Sequence, residues 1–312
     1  MNDMRLEKIQ YPKLRRYADN RSTTCYIDFL RGALKLKAKY PMCDFFQVNE
    51  VLHCASLVIT PNLSEDNLGR KTFAQPSDEI KNGTITFVEL EGKTYGITCW
   101  HVIESYRKAE EKHGQHSHTM RTMVNGFYVI IDRFIRPTPE YGQPPLDIAI
   151  REVNPALLRD LGKKPLSITS LPDIPKDIQH AIAVGFPTDL KYKKHENEAF
   201  HQISMPHVVL LAELNGSIPT QRFTLFSELE EKPDILDYSG ASGGPIFWST
   251  ETEYGILGII YESVAGSELI GEKAIHVSGE LAKKETLKDW IKQYHQKSTH
   301  PKCQPTGKIQ HD

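Results

Sequence analysis

Residues 237–247 read Asp-Tyr-Ser-Gly-Ala-Ser-Gly-Gly-Pro-Ile-Phe, and this stretch decides between the folds open to the chain. Ser242 lies among three glycines, which allow a tight turn and a close approach to a ligand because they carry no Cβ. A nucleophilic serine needs such a turn, with nearby N–H groups free to bind an oxyanion. An ordinary glycine-rich turn between strands explains the same letters, so the stretch alone leaves both interpretations open.

The stretch also satisfies G-x-S-x-G, the nucleophile elbow of α/β-hydrolases, in which a helix follows the serine directly. Here two glycines and Pro245 follow, and they oppose a helix start but suit a strand. That fold would also need an acid and a base after Ser242, where Asp289 and His295 lie in a helix-like stretch and a polar tail. An α/β-hydrolase-type esterase is therefore the less favoured alternative.

The composition is that of a globular protein. The chain has 312 residues and a formal net charge of −2, which gives no general attraction to nucleic acid. No apolar run is long enough for a bilayer, and the charged N-terminus does not resemble a signal peptide, so we expect no membrane partner. Five irregularly spaced cysteines without a C-x-x-C pair indicate free thiols. We therefore predict a cytoplasmic protein with no metal and no other cofactor.

Residues 1–50 form a basic N-terminal extension. Residues 1–40 carry ten Lys or Arg against four Asp or Glu, a formal charge of +6. Ser22 or Thr23 suits the cap of a helix that runs to Lys39. Either this helix binds an acidic regulatory partner, or it packs on the main domain with its basic face in water.

Residues 51–293 predict a mainly β domain. Short strand signals fall into two groups, about 51–160 and about 165–280, and helical periodicity covers 281–296. We infer two β-barrels and a closing helix, followed by a polar, disordered tail over 297–312.

Two polar residues stand in apolar strings of the first group. A predicted hairpin over 84–98 continues as a strand through Cys-Trp-His-Val-Ile at 99–103, ahead of a charged helix over 104–112. Asp147 begins the string Asp-Ile-Ala-Ile, which reads as a buried strand. An isolated acid there is costly unless it is hydrogen-bonded or paired, so Asp147 is a functional candidate.

The catalytic candidates come in the order His101, Asp147, Ser242, separated by 46 and 95 residues. Their strings Thr-Cys-Trp-His, Asp-Ile-Ala-Ile and Gly-Ala-Ser-Gly-Gly-Pro resemble the T-A-x-H, D-[IL]-A-[IL] and G-x-S-G-G-P motifs of trypsin-like serine proteases. The resemblance covers about residues 52–293. Three motifs in the order of that family are more specific than any one of them.

The resemblance implies a serine endopeptidase of the chymotrypsin fold, with two six-stranded antiparallel β-barrels. Ser242 would attack the scissile carbonyl, His101 would take and return its proton, and Asp147 would orient the imidazole. The backbone N–H groups of Gly240 and Ser242 would bind the oxyanion.

The sequence departs from the secreted members of that family. Ala241 stands where zymogen-activated members carry an aspartate, and no cysteine comes directly after His101. These features resemble the prokaryotic intracellular or Deg-like branch, here without a PDZ domain, and argue against activation by N-terminal cleavage. Tyr261 lies where the family usually has a small hydroxyl residue that supports the aspartate.

The resemblance also suggests which residues form the S1 substrate pocket: Leu236, Asp237, Tyr261, Ser263 and His276. P1 is the substrate residue whose side chain would enter this pocket. Asp237 would select Lys or Arg there, His276 would select an acidic residue, and Leu236 would select an apolar one. Of these three possibilities we favour a basic P1 residue.

A trypsin-like protease in the cytoplasm is hazardous, so we expect narrow specificity or control by a protein partner through the N-terminal extension. The alternative from another functional class is a catalytically silent binding module with a protease fold, part of a larger assembly.

Overall fold

The described part of the chain covers most of the predicted β domain. The computed structural model describes residues 50–61, 64–65, 71–72, 82–114, 117–124, 127–130, 133–139, 141–188, 192–197, 200–204, 208–214, 221–228, 238–250, 253–267 and 271–298. The predicted N-terminal helix, Leu236, Asp237 and residues 299–312 lie outside it.

The first half is an open, largely antiparallel sheet with the order β7-β6-β1-β4-β5-β8, and β9 pairs in parallel with β4. The separate pair β2-β3 belongs to the same half. The strands are β1 (Cys54–Pro61), β2 (Ser64–Glu65), β3 (Lys71–Thr72), β4 (Asn82–Leu90), β5 (Lys93–Thr98), β6 (His118–Val124), β7 (Phe127–Ile130), β8 (Ala149–Val153) and β9 (Leu166–Ser167).

The second half is a closed barrel with the order β10-β13-β14-β17-β16-β15, in which β10 pairs with β15. The hairpin β11-β12 stands apart from it. The strands are β10 (His180–Gly185), β11 (Tyr192–Asn197), β12 (Phe200–Ser204), β13 (Val208–Leu214), β14 (Arg222–Glu228), β15 (Pro245–Ser249), β16 (Tyr254–Ser267) and β17 (Gly271–Leu281).

A closed six-stranded barrel beside a half-barrel sheet confirms the predicted mainly β fold, the double-barrel arrangement of the chymotrypsin type. The first sheet has six strands along its main path, as predicted, but it does not close within the residues the structure describes. A strand, β15, begins at Pro245, three residues after Ser242. The α/β-hydrolase elbow is therefore wrong, because no helix follows the serine.

The described part of the chain contains few helices. They are a short 3-10 helix (Glu50–His53), α1 (Trp100–His113), α2 (Pro155–Asp160) and α3 (Lys284–Ser298). In the part of the chain that the structure describes, no helix combines the length and the apolar character that a bilayer crossing requires.

Two helices begin or end at other residues than predicted. α1 begins at Trp100, so residues 99–103 do not continue the strand, and His101 lies in the first helical turn. The strand prediction was wrong because Val102 and Ile103 are buried through the inner face of a helix rather than in a sheet. α3 begins three residues later than predicted and includes residues 297–298, which were predicted to be disordered.

One hydrophobic cluster joins the two halves. It combines Val88 and Ile97 of the first sheet, Phe247 of the second barrel, and Leu287 and Trp290 of α3. Two further clusters fill the interior of each half separately. Because α3 packs into the shared cluster, it holds the halves together and fixes the cleft between them.

Candidate active site

A cleft of about 420 Å³ lies where the two halves meet. The first half contributes the start of α1 and the segment before β8. The second half contributes the turn before β15 and residues 261–263 of β16. Its lining residues are His101, Asp147, Tyr238, Ser239, Ser242, Tyr261, Glu262 and Ser263. The structure therefore brings the three candidate residues of the sequence into one cleft.

His101 and Asp147 are joined by two hydrogen bonds. The imidazole Nδ1 contacts Asp147 Oδ2 at 2.6 Å, and the His101 backbone N–H donates to Oδ1 at 2.9 Å. The Trp100 N–H donates to the Asp147 carbonyl oxygen at 3.2 Å. Asp147 thus satisfies two of the N–H groups that the first turn of α1 leaves open, and no side chain within α1 caps that end.

The Asp147 carboxylate is stabilised in its ionised form. Burial opposes its ionisation, but the hydrogen bonds and the charge of His101, together with Arg136, outweigh burial and hold the pKa of Asp147 below its ordinary value. The Asp147 side chain is 20% exposed and that of His101 44%. The carboxylate therefore accepts from Nδ1–H and leaves Nε2 as the nitrogen able to take a proton.

The turn that carries Ser242 requires its glycines. Gly243 has φ +92°, and a Cβ there would overlap the carbonyl oxygen of Thr84. Gly240 has φ +98°, and a Cβ there would lie 2.6 Å from the carbonyl oxygen of Phe186. Both positions combine left-handed backbone with backbone contact, so a side chain at either one is strained.

Threonines of the first sheet hold this turn across the interface. The Thr84 N–H donates to the Ser242 carbonyl oxygen at 2.8 Å, and its hydroxyl donates to that of Gly240 at 2.8 Å. The Thr86 hydroxyl donates to the Gly243 carbonyl oxygen at 2.8 Å. These bonds fix the turn before β15 to β4, so the position of Ser242 depends on both halves.

Two backbone N–H groups of the turn find no acceptor in the described part of the chain. The N–H groups of Ala241, Gly243 and Gly244 donate to backbone carbonyls at 2.7–3.0 Å. Those of Gly240 and Ser242 donate to no acceptor among the described residues. These are the two groups expected to bind an oxyanion.

The Ser242 side chain is nearly buried, with the residue 7% exposed. Its hydroxyl donates to the Tyr261 carbonyl oxygen at 3.2 Å. Serine and histidine thus line one cleft, with the hydroxyl bonded to β16.

Cys99 completes a group of possible metal ligands, because its Sγ and ligand atoms of His101 and Asp147 lie within 4.8 Å of one another. Burial, with the charges of Asp147 and Glu280, raises the pKa of the Cys99 thiol well above its ordinary value. The thiol donates to the Ile260 carbonyl oxygen at 2.9 Å. A neutral, hydrogen-bonded thiol is a poor zinc ligand, so this chemistry fits a structural contact better than a metal site.

The tentative S1 residues are found in different places. Tyr261 and Ser263 line the cleft. His276 lies on β17 with its ring edge-on to Phe226, the centroids 5.1 Å apart, and is not among the cleft-lining residues. Leu236 and Asp237 lie outside the described residues.

Sequence reasoning missed a charged pair next to the site. Glu280, on β17, is fully buried and forms an ion pair with Arg222 of β14 at 2.7 Å. The Asp147 N–H donates to the same carboxylate at 3.3 Å. The signal that pointed to Asp147 was absent at Glu280, because Ser278 and Gly279 precede it and the predicted strand ended at Val277.

Comparisons with known proteins found similarity in structure only. No protein-family model matches the sequence, and no curated protein matches it. A thermostable serine protease from an extremophilic microorganism is 10% identical, with a TM-score of 0.42 over 80% of this chain and 98% of that one. Human heparin binding protein is also 10% identical, with a TM-score of 0.37 over 77% and 90%. Identities this low carry no information about activity.

Proposed function

We propose that the protein is a serine endopeptidase that cleaves peptide bonds in protein substrates through an acyl-enzyme. The observation that supports it most is the pair of hydrogen bonds between His101 and Asp147 in the cleft that also contains Ser242. An ordinary ion pair would need only one of them. The backbone bond fixes the carboxylate relative to His101, and the bond to Nδ1 then orients the imidazole, which is what a general base requires.

The chemistry follows from these positions. Ser242 Oγ attacks the substrate carbonyl carbon while His101 Nε2 takes the hydroxyl proton, and a covalent ester forms. His101 then gives that proton to the leaving amine. Asp147 keeps Nδ1 protonated and stabilises the imidazolium. Water attacks the ester in a second cycle of the same proton transfers.

The Gly240 and Ser242 N–H groups are the proposed donors to the oxyanion. The Ser239 carbonyl oxygen, in the same peptide as the Gly240 N–H, accepts the Thr188 N–H at 2.6 Å, and the Thr84 hydroxyl binds the next carbonyl, that of Gly240. These bonds hold the donor in place before substrate arrives. Donors fixed in advance need no reorganisation during the reaction, and losing one such donor costs about 10²–10³-fold in kcat.

The mode of control and the substrate preference belong to the same proposal. Ala241 replaces the aspartate that would pair with a new N-terminus, so activity would not depend on cleavage, as in the Deg-like branch. We propose a cytoplasmic enzyme that prefers Lys or Arg at P1 and is regulated by a partner binding residues 1–50. Cleavage-site profiling of a proteome digested by wild type and by Ser242→Ala tests the P1 preference directly.

Labelling with a fluorophosphonate probe tests the activity itself. We expect the probe to label wild type and to leave Ser242→Ala unlabelled, because only an activated serine reacts quickly. Ser170→Ala, an exposed serine outside the cleft, is the matched control and should label like wild type. Equal labelling of wild type and Ser242→Ala would refute the proposal.

One observation favours a catalytically silent binding module instead. The Ser242 hydroxyl donates to Tyr261, which draws it toward β16. A silent module predicts that wild type stays unlabelled, even when cell extract supplies the protein's partners. In an active enzyme, a rotation about χ1 of Ser242 would have to break this bond before the hydroxyl could donate to His101 Nε2.

A further inference from the structure

Side chains of the second barrel form hydrogen bonds to the backbone of the segment that carries Asp147. Arg222 on β14 and Glu280 on β17 are directly opposite each other in the antiparallel ladder. The guanidinium donates from Nε at 2.9 Å and from Nη2 at 2.7 Å to one oxygen, Glu280 Oε1. The same Oε1 accepts the Asp147 N–H at 3.3 Å. One carboxylate oxygen of the second half thus connects Arg222 to the backbone of Asp147 in the first.

Two more bonds hold the residues just before Asp147. Arg222 Nη2 donates to the Pro145 carbonyl oxygen at 3.0 Å, and Gln221 Nε2 donates to that of Pro144 at 3.3 Å. β8 begins at Ala149, so Asp147 precedes the strand and its N–H is not part of the ladder. The contacts from the second barrel therefore replace sheet hydrogen bonds in this segment.

Stability alone does not explain this pair. Glu280 is fully buried, and its Oε2 has no hydrogen-bond partner in the described part of the chain. The Arg222 side chain is 36% exposed, so the pair joins a buried carboxylate to a partly solvated guanidinium. Such a pair recovers little more than the desolvation cost of its buried member, and well-packed apolar residues of similar volume are often as stable. The guanidinium also lies 4.9 Å from the centre of the Tyr261 ring, at the edge of the cleft. The arrangement is thus costly and lies next to the site.

We propose that Arg222 and Glu280 are positioning residues that fix the backbone of Asp147, and through Asp147 the orientation of the His101 imidazole. The inference rests on the proposed function, since its main effect is on peptide hydrolysis. Neither residue lines the cleft, so neither touches the substrate. Loss of the pair should therefore lower kcat and leave KM unchanged.

The double variant Arg222→Met/Glu280→Leu separates positioning from stability. Replacing both charges leaves no unpaired ion, so we expect a thermal midpoint close to that of wild type. We expect kcat to fall about 10–100-fold, since small misplacements of catalytic groups cost up to about 10²-fold, with KM within about twofold. Glu280→Gln keeps an acceptor oxygen for Asp147 and should retain kcat within about threefold.

The matched control is Lys93→Met/Glu152→Leu, which removes an exposed ion pair between β5 and β8. It should change neither kcat nor KM. A folded Arg222→Met/Glu280→Leu variant with the kcat of this control would overturn the proposal. If that variant does not fold, Arg222→Lys replaces it, because lysine keeps the charge but cannot bind Glu280 in the same two-donor geometry. Wild-type kcat in Arg222→Lys would then overturn it.

Proton NMR gives a readout that does not need activity. The His101 Nδ1 proton in a short bond to Asp147 should resonate far downfield in wild type and in Glu280→Gln. In Arg222→Met/Glu280→Leu we expect this resonance to shift or disappear, and an unchanged resonance would overturn the proposal. If wild type proves inactive, the proposed function fails while this measurement still tests the positioning role.

Discussion

The Thr84 side chain is fully buried. It connects β4 to the turn before Ser242 and to the segment after β10. Its hydroxyl donates to the Gly240 carbonyl oxygen and accepts the Phe186 N–H at 3.0 Å. Thr84→Val keeps the shape of the side chain but leaves both groups buried without a partner. We expect it to lower the free energy of unfolding by about 1–3 kcal/mol and to slow fluorophosphonate labelling.

A second buried threonine provides the control for Thr84→Val. The Thr122 hydroxyl is buried on β6 and has no hydrogen-bond partner among the described residues. Thr122→Val should therefore be neutral or stabilising in urea denaturation and should label at the wild-type rate. Equal losses of stability in the two variants would contradict the role given to Thr84.

Asp147→Asn tests the orientation of His101. An amide of the same shape can donate its own N–H to Nδ1 and so place the imidazole proton on Nε2, where it blocks proton abstraction. We expect kcat to fall about 10⁴-fold with the fold intact. Asp289→Asn, an exposed acid on α3, should have wild-type kcat. A tenfold or smaller loss in Asp147→Asn would show that Asp147 does not set the tautomer.

At the scale of elements, α3 is the structure that most clearly spans the two halves. Trp290 is 2% exposed and belongs to the cluster that both halves share. Trp290→Ala should lower the free energy of unfolding by about 3–5 kcal/mol in urea denaturation. Lys288→Ala, on the exposed side of the same helix, should change it by less than about 0.5 kcal/mol. A loss below about 1 kcal/mol for Trp290→Ala would mean that α3 only covers the surface.

Local sequence predicted some elements well and one poorly. Two glycines and Pro245 after Ser242 predicted a strand, because a glycine pair opposes the start of a helix, and β15 is that strand. The start of α1 was not predicted. Its first N–H groups are satisfied by Asp147, which is 46 residues away in the sequence, so no capping residue before Trp100 marks the helix.

At the scale of the whole molecule, the side-chain contacts between the two halves were not predicted from the sequence. The order of the three motifs predicted that His101, Asp147 and Ser242 meet, and all three line one cleft. The contact of Glu280 with Asp147 joins residues 133 positions apart in different halves. No periodicity or local motif encodes such a pair, because it exists only once two sheets are packed together.

The ionisation of Tyr95, which lies on β5 and contacts His295 of α3, makes the stability of the fold depend on pH. Tyr95 OH lies 2.8 Å from His295 Nε2, and burial, followed by the charges of Glu152, Tyr294 and Glu91, raises the pKa of Tyr95 to about 12. The folded state thus favours the neutral phenol, so this stability is full below pH 10 and is lost as pH rises toward 12. We expect the free energy of unfolding to fall by about 1–2 kcal/mol over that range. This is less than the full pKa shift would give, because the exposed carboxylates of Glu152 and Glu91 are screened by water. Tyr95→Phe should remove this slope and the fully exposed Tyr141→Phe should keep it, whereas equal slopes in all three proteins would contradict the assignment.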